Sequence, residues 1–400
     1  MKIRSFRLSL LILPVSLALA PICQASAQTV PWPTRGWTSS TFRDRGLDAE
    51  PFLELDRDIE AGVYGYVDRL VVVKDGFLVM NERYENDYRE ISRGLKNDLG
   101  CGVDACGEDP AMGGFNYLHP DWHPYYQGRA VHTLQSVTKS VTSALFGIAI
   151  RRGEIHGTDA PLLSFFQEYD LSGVEDRLHK TTLDDLLTMR SGIEWHEDDR
   201  PLDDTNTTVQ LERSDDWIQF TLDQPMDSDP GERWNYNSGG SHLMSGVIRS
   251  ATGHYVDSYA EEYLFGPLGI QNYHWKKTPK GFPDTEGGLY LEAEDLAKIG
   301  YLYQNDGVWN GQRILPEGWV QASTTRRVEL QGPAGWGYGY QWWLLDRGGV
   351  EVWAGRGFGG QFLLVLPEPG LIAVANSWNI FEGDPQSIFA GLLRALIASI

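Results

Sequence analysis

The stretch Val137 to Arg152 constrains this chain more than any other. Val137, Val141, Ala144, Leu145, Ile148 and Ala149 recur at helical spacing, and Phe146 and Ile150 carry the apolar surface round to the other side. A helix that is apolar nearly all round is stable only when it is enclosed. Other elements must therefore pack on it from several directions. Gly153 marks its end. With 400 residues, 42% of them hydrophobic, the chain has the material for so large a core.

The enclosing elements differ in kind along the chain. Arg69 to Lys74 and Phe77 to Asn81 are β-rich runs joined by Asp75-Gly76, a hairpin signal. Residues 84–130 are rich in Gly, Asp and Pro and read as an elaborate loop region. From about Ile155 to Tyr303 the pattern is mainly helical, with helices expected at Thr182–Met189, Ser241–Thr252 and Ala293–Tyr303. Strands return at Gly337–Trp343, Gln361–Leu366 and Leu371–Ala375, before a last helix at Ile388–Ile397. Strands at both ends and helices between them predict an α+β fold. One antiparallel sheet, flanked by helices, is built from both termini and carries a mainly helical inserted subdomain. The α/β part covers about 60–150 and 330–400, the helical part about 155–303, all within a single domain at 28–400. An active site is expected where the two parts meet.

The first 27 residues read as an export leader. Lys2, Arg4 and Arg7 are a positive start, Leu8 to Ile22 an apolar core interrupted by Pro14, and Ala25-Ser26-Ala27 a cleavage site. The run is short for a membrane span, so no stable span is expected after cleavage. Pro21 and Ile22 suit lipidation of Cys23 poorly. The expected location is the periplasm or the exterior. The formal net charge is −21, and losing the leader's three cations takes it to −24. Such acidity excludes nucleic acid as a partner, because phosphates need a basic face. Cleavage leaves Cys101 and Cys106, which are expected to pair as a disulfide in an oxidising compartment. Their spacing is not C-x-x-C, no His lies between them, and His119 and His123 nearby have no carboxylate cluster to complete a site. No metal and no cofactor is expected.

Three segments carry chemistry. Ser136-Val-Thr-Lys139 is the chain's S-x-x-K, placed at the start of the enclosed helix. Residues at i and i+3 share a helix face, so Lys139 reaches back to the Ser136 oxygen. The helix N-terminus supplies a positive field and free N–H groups. A helix apolar on all sides would also bury Lys139, easing loss of its proton. The second segment is Asp229-Pro-Gly-Glu-Arg-Trp-Asn-Tyr236-Asn-Ser-Gly-Gly240, a turn leading into a helix. The third is Trp353-Ala-Gly-Arg-Gly-Phe-Gly-Gly-Gln361, a Gly-rich stretch entering a strand, whose plain reading is a bulge or tight turn.

In this order the three segments resemble those of the serine β-lactamase/transpeptidase-like family, which includes class C β-lactamases, DD-peptidases, esterases and 6-aminohexanoate-dimer hydrolases. Thr182-Leu-Asp-Asp-Leu-Leu-Thr-Met-Arg-Ser-Gly-Ile193, Phe265-Gly-Pro-Leu-Gly-Ile270, Gly287-Gly-Leu289 and Asp295-Leu-Ala297 extend the likeness from about Arg69 to the C-terminus. The resemblance implies Ser136 as the acylated nucleophile and Lys139 as its base. It implies Tyr236 as the group relaying the proton to the leaving group. The backbone N–H groups of Ser136 and Phe358 form the implied oxyanion hole. Asn237, Ser238, Gly357 and Gln361 fall at implied substrate-binding positions.

Two departures narrow the branch. The family's Tyr-x-Asn is here Tyr236-Asn237-Ser238, and no Lys or His occurs in Trp353 to Gln361, where Arg356 is the sole cation. Both point to the esterase and 6-aminohexanoate-dimer hydrolase branch, and so to a small-molecule amide or ester substrate. The alternatives are a true β-lactamase or DD-peptidase, or a penicillin-binding-type protein that is acylated without turnover. The α/β-hydrolases are disfavoured because the chain has no G-x-S-x-G elbow. The acidic loop Glu194-Trp-His-Glu-Asp-Asp199, with Asp203 and Asp204, reads as solvated; lining a cleft, it would repel anionic substrates.

Intact-mass analysis of exported protein checks two of these expectations at once. The mass should start at Gln28 and fall two hydrogens short of the fully reduced value. A retained N-terminus, a lipid on Cys23, or two free thiols contradicts them.

Overall fold

The computed structural model describes residues 32–87, 130–332, 335–379, 384 and 386–400. The leader, Cys101, Cys106, His119 and His123 lie outside the described residues. Pro31–Ile400 forms one compact unit.

The backbone is organised by a nine-stranded sheet. Its strands are β1 (Thr38–Ser39), β2 (Val67–Lys74), β3 (Phe77–Arg83) and six from the C-terminal third. The short strands β4 (His132–Thr133), β5 (Tyr273–Trp275) and β6 (Leu289–Leu291) make a separate sheet, and β7 (Val308–Trp309) and β8 (Gln312–Arg313) a small ribbon. The C-terminal strands are β9 (Val328–Glu329), β10 (Gly337–Tyr338), β11 (Trp343–Arg347), β12 (Val350–Gly357), β13 (Gln361–Leu366) and β14 (Leu371–Ser377). The order is β1-β3-β2-β14-β13-β12-β11-β10-β9. The two termini therefore meet at β2 and β14, whose antiparallel register pairs Ala373 with Val72. Every pairing in it is antiparallel except the two-residue edge strand β1, which runs parallel to β3.

Alternation along the strands explains the layers. Val71 and Val73, Leu363 and Val365, and Ile372 and Val374 point to one core. Leu70 and Val72, Phe362, Leu364 and Leu366, and Leu371, Ala373 and Ala375 point to the other. Successive strand residues face opposite sides, so strands apolar at every position need a cover on both. Helices α1 (Glu50–Glu60) and α10 (Ser387–Ala398) pack together over the second face. On the first lie α2 (Val137–Arg151) and α8 (Ala293–Gln304). Beyond them come the small helices α3 (Leu183–Leu187), α4 (Thr207–Glu212), α5 (Trp217–Leu222) and α7 (Val256–Ala260), the longer α6 (Ser238–Thr252), and α9 (Trp319–Thr324). Helix α2 is enclosed as expected, with Val137 through Ala149 all buried.

One strand differs from the sequence reading. The expected strand Gly337–Trp343 is interrupted at residues 339–342. A Cβ at Gly339 would stand 2.0 Å from the Ser323 carbonyl. Gln341 has φ of 61° and donates through its side chain to the Leu186 and Leu187 carbonyls. These contacts tie the chain to α3 and remove it from the ladder. Strands β11 and β12 form a hairpin around Gly348-Gly349, and β12 continues into the Gly-rich stretch as far as Gly357. Helix α3 itself is set by a capping box. The Thr182 hydroxyl accepts from the Asp185 N–H, and the Asp185 carboxylate accepts from the Thr182 N–H at 2.9 Å.

Replacing Thr182→Ala removes one half of that box. It should lower stability by about 1 kcal/mol, read as a reduced urea midpoint at unchanged slope.

Candidate active site

The turn between β4 and α2 is pinned from both sides. The Leu134 N–H donates to the Leu289 carbonyl at 2.9 Å, and the Leu289 N–H to Thr138 Oγ1 at 3.1 Å. Gln135 is held at φ of 46°, a left-handed conformation costing a non-glycine residue about 1–2 kcal/mol. Ser136 follows at the head of α2. Residue 357 of β12 approaches this turn so closely that a Cβ there would lie 2.4 Å from the Leu134 carbonyl oxygen. Only glycine allows that contact, so the plain reading of the Gly-rich stretch as a turn holds only for residues 358–360, past the strand end.

Lys139 is 1% exposed, one turn into α2. Its Nζ donates to Ser136 Oγ at 2.9 Å, to Ser238 Oγ at 3.0 Å and to the Glu286 carbonyl at 2.7 Å. The Glu286 carboxylate lies 3.5 Å away. The Tyr236 ring lies 5.2 Å from the same nitrogen. Burial pushes the Tyr236 phenol well above its ordinary value, and the Glu197 charge adds to the rise; its hydrogen bond with the Ser136 hydroxyl opposes both. Tyr236 thus keeps its proton at neutral pH.

Behind Lys139 a second layer completes the network. Ser238 Oγ donates to Glu197 Oε1 at 2.8 Å, and the Ser238 N–H to Oε2 at 3.0 Å. Trp195 Nε1 also donates to Glu197 Oε2, at 3.0 Å. Trp195 reaches this place because residue 239 is glycine: a Cβ there would stand 2.3 Å from its ring. Burial, with the charges of Glu286 and Asp198, raises the Glu197 carboxyl to about 7, against the opposing pull of Lys139. Deeper still, Glu212 and Lys276 form a buried pair at 3.1 Å. Burial holds the Glu212 carboxyl above the usual range.

In front of Ser136 lies a cleft of about 370 Å³. One wall is acidic: Glu197, Asp198, Glu212 and Glu286. The other is aromatic, with Tyr236 and Trp343 at 5.7 Å between ring centroids. Arg200 and Arg356 also line the cleft. Arg356 is held 4.7 Å from each of the Trp336 and Trp343 rings and donates to Gln386 at 2.7 Å. Burial lowers its affinity for its proton, offset by Tyr236 and Asp198.

The expected residues separate into three groups. Ser136, Lys139 and Tyr236 come together, and Gly357 and Phe358 line the same cleft. Ser238 belongs to the network behind the nucleophile. Asn237 and Gln361 are corrections. Asn237 is turned inward as the cap of α6, accepting from the Gly240 N–H at 2.6 Å. Gln361 is wholly buried and spans strands, donating to the Ser377 carbonyl and accepting from Asn376 Nδ2 at 3.1 Å. The acidic loop is also revised. Glu194, His196 and Asp199 pair with one another outside, but Glu197 and Asp198 face the cleft. Glu286 and Trp195 were missed. Glu286 does stand directly before Gly287-Gly-Leu289, and Trp195 within the loop that was read as solvated.

The fold and site define a class: a helix-covered, mainly antiparallel sheet with a half-buried serine over a buried lysine and tyrosine at its junction with a helical region. A model of the Beta-lactamase family matches residues 115–398, and the chain belongs to that family. It is similar to a 6-aminohexanoate-dimer hydrolase of Paenarthrobacter ureafaciens, 26% identical over 297 residues, which covers 67% of this chain and 72% of the relative. Among solved structures, a D-stereospecific amidohydrolase from Streptomyces sp. superposes with a TM-score of 0.60 at 18% identity, covering 86% of this chain and 97% of its own. A hydrolase with promiscuous acyltransferase activity gives 0.62 at 13% identity, covering 88% and 97%. Both share the fold.

Proposed function

We propose that the protein is a serine hydrolase of linear amides or esters that works through an acyl-enzyme on Ser136. The observation that carries this reading is the 2.9 Å contact between Ser136 Oγ and a Lys139 amine sealed from solvent, at the floor of an open cleft. Ser136 Oγ attacks the substrate carbonyl and passes its proton to Lys139 Nζ. The N–H groups of Ser136 and Phe358 receive the oxyanion. Tyr236, protonated because its phenol is buried, donates to the departing amine or alkoxide and regains a proton from Lys139. Water then enters the vacated side and releases the acid by the reverse sequence.

Ser136→Ala should abolish labelling by a fluorophosphonate. Lys139→Ala and Tyr236→Phe should each lower kcat by about 10²–10⁴-fold, and the double variant should be little worse than either, since the residues act as a unit. Normal turnover by Ser136→Ala overturns the mechanism.

The cleft also orders the substrates. It presents four carboxylates against two guanidiniums, and Arg356 is already engaged by two indoles and Gln386. A β-lactam brings a carboxylate beside its reacting carbonyl. Arg200 lies 4.0 Å from Asp199, so among the described residues of the cleft both guanidiniums already have partners; a missing charge-assisted contact costs about 1.5–3 kcal/mol, roughly tenfold to over a hundredfold. A short neutral ester and an amino-amide dimer should therefore exceed a cephalosporin in kcat/KM by at least that factor, with the gap narrowing at high salt. A cephalosporin preferred at both salt concentrations places the protein with the β-lactamases.

A further inference from the structure

We propose that Glu197 is a positioning residue for the nucleophile: its carboxylate holds the Ser238 hydroxyl proton, which aims the Lys139 lone pair at Ser136. This rests on the serine-hydrolase reading above.

The argument is one of donors and acceptors. As an ammonium, Lys139 donates to the three oxygens nearest it, and the Glu286 carboxylate stands farther off at 3.5 Å. As the free amine that can take a proton, it has two N–H groups and one lone pair. The Glu286 carbonyl at 2.7 Å can only accept, so it claims one N–H. Two near oxygens remain, those of Ser238 at 3.0 Å and Ser136 at 2.9 Å, both closer than the Glu286 carboxylate at 3.5 Å. If Ser238 accepts the second N–H, the lone pair faces Ser136 and can receive its proton. If Ser238 instead donates to Lys139, the second N–H goes to Ser136, and the nucleophile has no base. The direction of one hydroxyl decides between these states.

Glu197 sets that direction. Its Oε2 receives two N–H groups, from Ser238 and Trp195, each at 3.0 Å. That oxygen must accept in every state, so a proton added to the carboxyl sits on Oε1, 2.8 Å from Ser238 Oγ. Ionised Glu197 accepts the Ser238 proton and leaves the Ser238 oxygen open to Lys139. Protonated Glu197 donates to that oxygen and turns its proton toward Lys139. Protonation therefore reverses the chain and withdraws the base.

The charged groups facing Glu197 are Lys139 on α2, Glu286 on the loop before β6 and Asp198 beside it. Glu212, Arg200 and Arg356 share the cleft. Burial leads the sum, and the carboxyl titrates at about 7. A carboxyl raised to that value is ionised above it, so activity should be full on the alkaline side and fall as pH drops through about 7.

The test is kcat/KM from pH 5.5 to 9 on the exported protein with a neutral nitrophenyl ester, alongside fluorophosphonate labelling of Ser136. In Glu197→Gln the two fixed N–H donors claim the amide oxygen, and the amide NH2 donates to Ser238 Oγ. This variant imitates the protonated state. It should lose about 10- to 100-fold at pH 8 and show no limb near 7. Ser238→Ala cuts the chain and should lose the limb too. Glu197→Asp, which can still ionise, should keep one at reduced rate. A limb near 7 that survives in Glu197→Gln or Ser238→Ala, or that is missing from the wild type, overturns the proposal. A wild type that is not labelled at Ser136 sinks the hydrolase reading instead; labelling with an unmoved limb defeats only the role of Glu197.

Discussion

A lysine nitrogen placed where water cannot reach it must find every partner in the protein, and that demand at Lys139 organises this molecule. An amine buried without partners is among the costliest groups to leave unsatisfied. Its partners come from α2 itself, from the head of α6 and from the loop before β6. The last two lie 99 and 147 residues from Lys139 in sequence. They can meet only if α2 is central and approached from several sides. The apolar circumference of α2 and the polar pocket at its first turn are thus two aspects of one arrangement: the helix is enclosed so that its lysine can be.

Close approach is the second requirement, and glycine meets it. Residue 355 of β12 has room for no Cβ, which would stand 2.9 Å from Val137, and residue 357 is tighter against the Leu134 carbonyl. Strand β12, inside the sheet between β11 and β13, therefore lies directly along the nucleophile turn and brings Phe358 to the mouth of the cleft. On the opposite side, the Trp195 ring against Gly239 fixes the start of α6 and the Glu197 loop together. Backbone proximity at β12 and an aromatic wedge at Gly239 hold the Ser136 region in register.

Much of this was legible from the chain, and the limits have physical causes. The hairpin at Asp75-Gly76, helix α2 and the strands β13 and β14 follow from local periodicity, which contacts within a few residues enforce. Ser136, Lys139 and Tyr236 were legible because their spacing and segment order survive in the resemblance. Asn237 and Gln361 were misread, since whether a polar side chain faces a cleft or bridges buried strands depends on partners such as Ser377 and Asn376. Glu197 sat in a loop that reads as solvated. Its burial arises from Ser238, 41 residues on, and from a tryptophan whose position depends on Gly239. No local pattern encodes a contact of that range.

The two walls of the cleft then act on one another through the medium between them. Tyr236, Trp343, Trp234 and Trp336 form a continuous aromatic surface, with neighbouring centroids 5.7–6.2 Å apart. Such a surface offers little solvation to charge. Burial against it raises the Tyr236 phenol, and the burial of Glu197 itself strengthens the repulsion it feels from Glu286 and Asp198, because Coulomb energies grow as the effective dielectric falls. The same wall accepts Arg356, since a guanidinium can lie against indole faces where a compact ammonium would demand water. A low-dielectric surface thus keeps the Tyr236 phenol protonated and tolerates an arginine, both within reach of Ser136. The titration of the phenol and of the carboxyl is linked, because the charge of Glu197 raises the Tyr236 phenol further above its ordinary value.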